Sequence, residues 1–303
     1  MSVTVVELGP RDGLQNEATP VPISERIAFV RALAAAGLRR IEAGAFVHPG
    51  RVPQMASSDE VCSELRSDPT LAERGVRISA LVPNLKGLYR AMAAGVREVA
   101  VFPAASETFS RRNLNQSIDE ALRSAAEVCA AALASGLQVR GYVSTAFGCP
   151  YEGDVPVTQV IRVCEALLAC GVFEVAISDT IGVAHPAQVR SLLRDTRQSL
   201  PRHRMALHFH DTRGTALANV LAALDEGVQT FDACAGGLGG CPFAPGATGN
   251  LATEDLLYML HGLGMARDID LGAVVAASAA IEPAVGHALP SRCYRAAQAR
   301  GRG

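Results

Sequence analysis

Ala134-Ser135-Gly136-Leu137-Gln138-Val139-Arg140-Gly141-Tyr142-Val143-Ser144 contains the transition that decides the fold. A stretch of helical periodicity over 117–135 stops at a glycine. An apolar residue then opens a strand-like run over 138–144. Glycine takes the left-handed backbone of a helix cap at little steric cost, so Gly136 reads as the end of a helix. The same punctuation recurs at Gly37, Gly75, Gly95, Gly171 and Gly227, each followed directly by an apolar residue.

Working outward from this unit, candidate strands lie at 3–8, 39–43, 76–82, 98–102, 138–144, 173–178, 205–210 and 229–234. Helical stretches rich in Ala, Leu and Arg separate them, among them 24–36, 117–135, 156–170 and 216–226. This alternation predicts an α/β fold, a (β/α)8 TIM barrel, as one catalytic domain over 1–303 with a C-terminal helical extension from about Asp255. No G-x-G-x-x-G follows the first strand, which counts against a doubly wound open sheet.

Composition narrows the function class. The chain has 303 residues, 49% of them hydrophobic, enough for a large core. A formal charge of −2 and the absence of a basic run argue against nucleic acid as a partner. No apolar run reaches membrane-spanning length. With the first strand opening at Val3 and no leader before it, a cytoplasmic protein is expected. The 8 cysteines show no C-x-x-C, so neither a zinc ribbon nor a disulfide framework is expected. Cys149 and Cys241 differ from the rest in sitting within Gly-Cys-Pro turns. Lys86 is the only lysine and falls at a helix start, which makes imine chemistry improbable.

Chemistry enters at Leu207-His208-Phe209-His210-Asp211. Side chains alternate along a strand, so His208 and His210 share a face and form half of a divalent-metal site. Val5-Val6-Glu7-Leu8-Gly9-Pro10-Arg11-Asp12-Gly13 puts a carboxylate and a guanidinium just past the first strand. Gly249-Asn250 supplies a neutral oxygen after the eighth. Barrel active sites gather at the C-terminal ends of the strands. Asp12, Glu42, Asp179, His208, His210 and Asn250 all fall there, and Asp12, His208, His210 and Asn250 make a metal-ligand set. Each has a plainer reading. The histidines could be a hydrogen-bonded core pair, Arg11 an ion-pair partner of Asp12 or Glu42, Glu42 an acceptor for Arg11, and Asp179 a turn cap.

Several motifs carry a resemblance over nearly the whole chain. They are Gly9-Pro10-Arg11-Asp12-Gly13-Leu14-Gln15-Asn16-Glu17, Val52-Pro53-Gln54-Met55, Ala104-Ala105-Ser106-Glu107 with Asn113, Arg140-Gly141-Tyr142-Val143-Ser144 and Gly148-Cys149-Pro150-Tyr151-Glu152-Gly153. Further on come Asp179-Thr180-Ile181-Gly182-Val183, His210-Asp211-Thr212, the loop Gly236-Gly237-Leu238-Gly239-Gly240-Cys241-Pro242, and Gly249-Asn250-Leu251-Ala252-Thr253-Glu254-Asp255-Leu256. Together they resemble the 3-hydroxy-3-methylglutaryl-CoA lyase family of metal-dependent barrels, with the Gly-Cys-Pro loop the most specific element. The resemblance implies retro-Claisen cleavage of that acyl-CoA thioester to acetoacetate and acetyl-CoA. It makes Cys241 a proton donor on a closing loop, and adds Gln15, Tyr142 and Thr180 to Arg11 as substrate contacts. It further implies a homodimer or larger homo-oligomer.

The chain departs from the family pattern at Ala18, at Ala45-Phe46-Val47-His48-Pro49-Gly50-Arg51, at Arg213 and at Gly286-His287-Ala288-Leu289-Pro290-Ser291-Arg292. These changes bear on the acyl pocket and on coenzyme A. The oxygen-rich ligand set suits Mg²⁺ or Mn²⁺, and the imidazoles also admit Zn²⁺ or Co²⁺. Arg11, charged at any working pH, would face the developing enolate. Asp12, His208 and a metal-bound water are alternatives for the base that takes the hydroxyl proton. A related 3-hydroxy-3-alkylglutaryl-CoA is an alternative substrate, and a Claisen-type synthase condensing acetyl-CoA with a 2-oxo acid is the alternative reaction. A non-enzymatic barrel and a two-His-one-carboxylate iron oxygenase fit the residues less well.

Overall fold

The computed structural model describes residues 2–240 and 249–300. Eight parallel strands follow one another around a closed barrel: β1 (Thr4–Glu7), β2 (Arg40–Ala45), β3 (Arg77–Leu81), β4 (Glu98–Val101), β5 (Gln138–Val143), β6 (Glu174–Asp179), β7 (Met205–Phe209) and β8 (Thr230–Ala233). β8 closes on β1 through pairs from Thr4 with Thr230 to Glu7 with Ala233. All eight expected strands are present. The (β/α)8 barrel read from the sequence is the fold, with helices continuing after β8.

Gly136 takes φ 75°, the left-handed conformation that ends the helix Ile118–Ala134 and turns the chain into β5, and the other five punctuating glycines share that region. β2 runs two residues beyond the expected 39–43. Its register with β3 shifts between Glu42 and Gly44, a bulge that carries pairing on to Ala45. After β8 come helices Thr253–Gly262, Leu271–Val285 and Arg292–Arg300. Leu271–Val285 lies against the first helix, Ile23–Ala35, and so closes the outer ring. Among the described residues no helix is long and apolar enough to cross a membrane.

Outward-facing Val139, Val175, Leu207 and Phe231 are buried beneath the helices. Several inward positions, among them Arg40, Arg140, Glu174 and Asp232, are charged, whereas the interior of such a barrel is commonly filled by Val, Ile and Leu. Arg40 forks onto Glu174 at 2.9 and 3.1 Å, and Arg140 donates to Glu174 at 2.8 Å. Arg140 also grips both oxygens of Asp232, at 2.7 and 3.1 Å. Charges survive burial only when each is paired and hydrogen-bonded, and this ladder pairs them across β2, β5, β6 and β8. It leads upward to the C-terminal mouth of the barrel.

Candidate active site

The first strand ends in a wide helical turn, Gly9–Gly13, in which the N–H groups of Arg11, Asp12 and Gly13 all converge on the carbonyl of Leu8. Such wide turns recur at functional sites because they push side chains out of the regular spiral. Glu7 pins the turn. Its carboxylate accepts from the Gly9 N–H at 2.8 Å, the Ala235 N–H at 2.9 Å and the Thr253 hydroxyl at 2.6 Å. The turn after β1 is thereby tied to the loop after β8.

Arg11 emerges from this turn, buried, with Nε donating to Glu42 Oε1 at 2.5 Å and Nη1 to Asp12 Oδ1 at 2.5 Å. Burial opposes its charge, but Asp12 and Glu42 more than offset this and hold its pKa above the ordinary value. Burial likewise opposes ionisation of Asp12. Arg11, then the two imidazoles, prevail and keep its carboxyl below the usual range. Arg11 is locked in place as a cation beside Asp12.

β7 delivers the histidines as its alternation predicts. The rings of His208 and His210 lie 5.2 Å apart, and His208 Nε2 is 3.9 Å from Asp12 Oδ2. One ligand atom from each of Asp12, His208 and His210 fits within a cluster no wider than 4.8 Å. Asn250 is carried to the same place by a backbone bridge to His210. Its amide nitrogen donates to the Leu238 carbonyl at 3.2 Å, leaving Oδ1 buried without a partner, as is His210 Nδ1. Buried polar atoms cost free energy unless something bonds them. Burial, with His208 next to it, pushes the His210 pKa down to about 3, so its imidazole is neutral as metal ligation requires. The donor set and its orphaned atoms fit a divalent cation.

These residues open onto a cavity of about 680 Å³. Arg11, Asp12, Gln15, Tyr142, Thr180, His208, His210 and Gly240 line it together. Gln15 Oε1 is buried there without a hydrogen-bond partner. Glu42 and Asp179, expected among the catalytic groups, do not line the cavity. Glu42 sits behind Arg11, accepting from it and from the Tyr142 hydroxyl at 3.3 Å, and burial raises its pKa. Asp179 accepts from the N–H groups of Val183 and Ala184 at 2.9 and 3.0 Å, which makes it the anchor of the loop carrying Thr180. Both contacts match the plainer readings. Cys241 lies outside the described residues, one peptide beyond Gly240. Lys86 is exposed and does not line the cavity.

Two features escaped the sequence reading. Asp232, an acid within an apolar strand, stands behind His208 with Oδ2 3.5 Å from Nδ1. Burial opposes its charge, yet Arg140 and His208 bring its pKa down to about 2. The segment after Leu271–Val285 also returns to the rim. His287 meets Glu17 at 2.7 Å and Arg292 meets Asp211, the neighbour of His210, at 2.8 Å.

Comparison with known proteins agrees with this geometry. The hydroxymethylglutaryl-CoA lyase of Pseudomonas mevalonii is 50% identical, covering 99% of this chain and 98% of its own. A Pseudomonas aeruginosa protein, described as a 3-hydroxy-3-isohexenylglutaryl-CoA/hydroxymethylglutaryl-CoA lyase, is 48% identical over 98% of both chains. A solved HMG-CoA lyase from Acinetobacter baumannii, in complex with coenzyme A and 3-methylmalate, is 37% identical. It superposes with a TM-score of 0.91, covering 97% of this chain and 95% of that one. The family model described as HMGL-like matches residues 2–281, and the chain belongs to that family.

Proposed function

We propose that the protein is a divalent-metal-dependent carbon–carbon lyase that cleaves 3-hydroxy-3-methylglutaryl-CoA to acetoacetate and acetyl-CoA. The observation that carries this reading is the convergence of Asp12, His208, His210 and Asn250 with Arg11 in one cavity. The relatives named as lyases of this substrate support it. Cleavage takes the proton from the C3 hydroxyl, breaks the C2–C3 bond, and returns a proton to C2, so nothing is oxidised or consumed.

Asp12, His208, His210 and Asn250 would hold the cation, with Mg²⁺ or Mn²⁺ the best match to two oxygens and two imidazoles. When bound, it would supply the Lewis acidity that makes a very weakly acidic alcohol ionisable near neutrality. Arg11 Nη2, with no protein partner among the described residues, is the donor positioned for the thioester oxygen as enolate charge develops. The Tyr142 ring lies under the Arg11 guanidinium, its centroid 5.7 Å away. Cys241, outside the described residues, is the proposed proton donor to C2. The test is acetoacetate formation from the thioester with and without Mn²⁺. Metal-dependent product supports the reading, and its absence ends it. Condensation of acetyl-CoA with a 2-oxo acid by the same preparation would replace it with the synthase.

His210→Ala should weaken Mn²⁺ binding by more than the ~10–100-fold typical for loss of an outer-shell partner. Calorimetric titration checks this, and a parent-like affinity would remove His210 from the ligand set.

A second reading concerns the C3 substituent. Val47, Val52, Leu81, Phe102, Phe109 and Leu114 form an apolar side of the cavity, and the relative from Pseudomonas aeruginosa is named for both methyl and isohexenyl substrates. A longer 3-alkyl chain is therefore expected to be accepted. Each buried methylene is worth roughly 0.8 kcal/mol where the wall is apolar. Comparison of kcat/KM for methyl and longer 3-alkylglutaryl thioesters decides the point, and a steep fall with chain length would restrict the enzyme to the methyl substrate.

A further inference from the structure

We infer that Asp232 is a positioning residue for the metal centre, holding His208 by its Nδ1 edge so that Nε2 is presented to the cation. Asp232 and His208 are register partners on adjacent strands β8 and β7, and both face the barrel interior. Neither backbone can move without breaking the sheet, so their separation is a property of the barrel. His208 Nδ1 lies 3.5 Å from Asp232 Oδ2, while Nε2 faces Asp12 Oδ2 at 3.9 Å. One ring edge is turned to a carboxylate below and the other to the ligand cluster above.

Asp232 is itself immobile. Arg140 donates Nη2 to Oδ1 at 2.7 Å and Nη1 to Oδ2 at 3.1 Å, and Glu174 holds Arg140 from behind at 2.8 Å. A carboxylate fixed by a two-pronged guanidinium is an acceptor with a fixed direction. Opposite a neutral imidazole it favours the tautomer with the proton on Nδ1, which leaves the Nε2 lone pair for metal. Carboxylates behind metal-binding histidines act in this way and raise ligand basicity. Neither Nδ1 makes a close hydrogen bond, but among the described residues only that of His208 faces a carboxylate within 4 Å, Asp232 at 3.5 Å. That contact makes the two imidazoles unequal, with His208 the pre-set one.

The alternative role for Asp232 is as counter-ion to Arg140 alone, and Glu174 separates the two. It also pairs with Arg140 but does not touch His208. The inference rests on the metal-dependent reading above. Mn²⁺ affinity, followed by electron paramagnetic resonance, and unfolding midpoint are measured for the parent, Asp232→Asn and Glu174→Gln. The expected result is a ~10–100-fold loss of affinity in Asp232→Asn. Glu174→Gln should be destabilised yet bind Mn²⁺ as the parent does. Equal affinity in Asp232→Asn and the parent, or equal losses in both variants, overturns the inference and leaves the lyase reading standing. A parent that binds no Mn²⁺ overturns both.

A measurement on the unaltered side chains covers the case in which Asp232→Asn does not fold. Nitrogen-15 spectra of the Mg²⁺-saturated parent, with His208 identified by its absence from the His208→Gln spectrum, report the ring tautomer. A proton on Nδ1 supports the inference, and a proton on Nε2 overturns it.

Discussion

Arg11→Gln should lose about 10²–10³ in turnover at saturating Mn²⁺, because loss of one donor to a developing oxyanion costs that much. It should also weaken Mn²⁺ binding through the lost bond to Asp12. The Nε and Nη1 of Arg11 are spent on Glu42 and Asp12. The third nitrogen carries the catalytic proposal, and glutamine keeps a neutral donor in place of a cation. The substitution also strands Glu42, a buried acid whose charge Arg11 offsets. Removal of one partner from a buried pair typically costs ~3–5 kcal/mol, so the unfolding midpoint should fall too. Turnover and stability must be read separately. Arg11→Lys restores a charge without the fork and should recover stability more than rate. Parent-like kcat in Arg11→Gln, measured on folded protein, would remove the guanidinium from the chemistry.

Cys241→Ser should lower kcat by about 10²–10⁴, the usual range for loss of a general acid, because a serine hydroxyl is a far weaker acid than a thiol. Metal affinity should not change, since the four proposed ligands lie elsewhere. Alkylation should inactivate the parent, and bound substrate should protect it. The seven cysteines among the described residues are free, and most are buried, so Cys241→Ser is the control that locates the modified thiol. Near-normal turnover in Cys241→Ser, together with indifference to alkylation, would leave the Gly-Cys-Pro loop as a cover only.

The barrel was legible because its signals are local. Six helices end on a glycine with positive φ, and after each of those six glycines a strand begins within two or three residues. The histidine pair was legible for the same reason, since strand alternation alone puts His208 and His210 on one face. What could not be read were partners chosen by closure of the barrel. Arg40, Glu98, Arg140, Glu174 and Asp232 alternate within their strands as inward residues should. Nothing in their spacing says that Arg140 would stand between Glu174 and Asp232. Glu42 and Asp179 illustrate the converse. Position at a strand end marked both as acids of the mouth, but hydrogen-bond geometry turns one toward Arg11 and the other into its own loop. The strap through His287 and Arg292 lies in a stretch that departs from the family pattern, and its ties to Glu17 and Asp211 depend on a path only the fold reveals.

The clasp formed by Glu7 has a consequence for how the protein is made. Its hydroxyl partner, Thr253, lies 246 residues downstream, and β1 finds its second neighbour only when β8 exists. At ~5–20 residues per second, a ribosome needs roughly 12–50 s to traverse that interval. Throughout it the nascent barrel is an open sheet with β1 exposed along one edge, and with Arg11 and Asp12 separated from the histidines. The first segment translated is thus among the last to be secured. Assembly of the catalytic mouth therefore coincides with closure of the barrel.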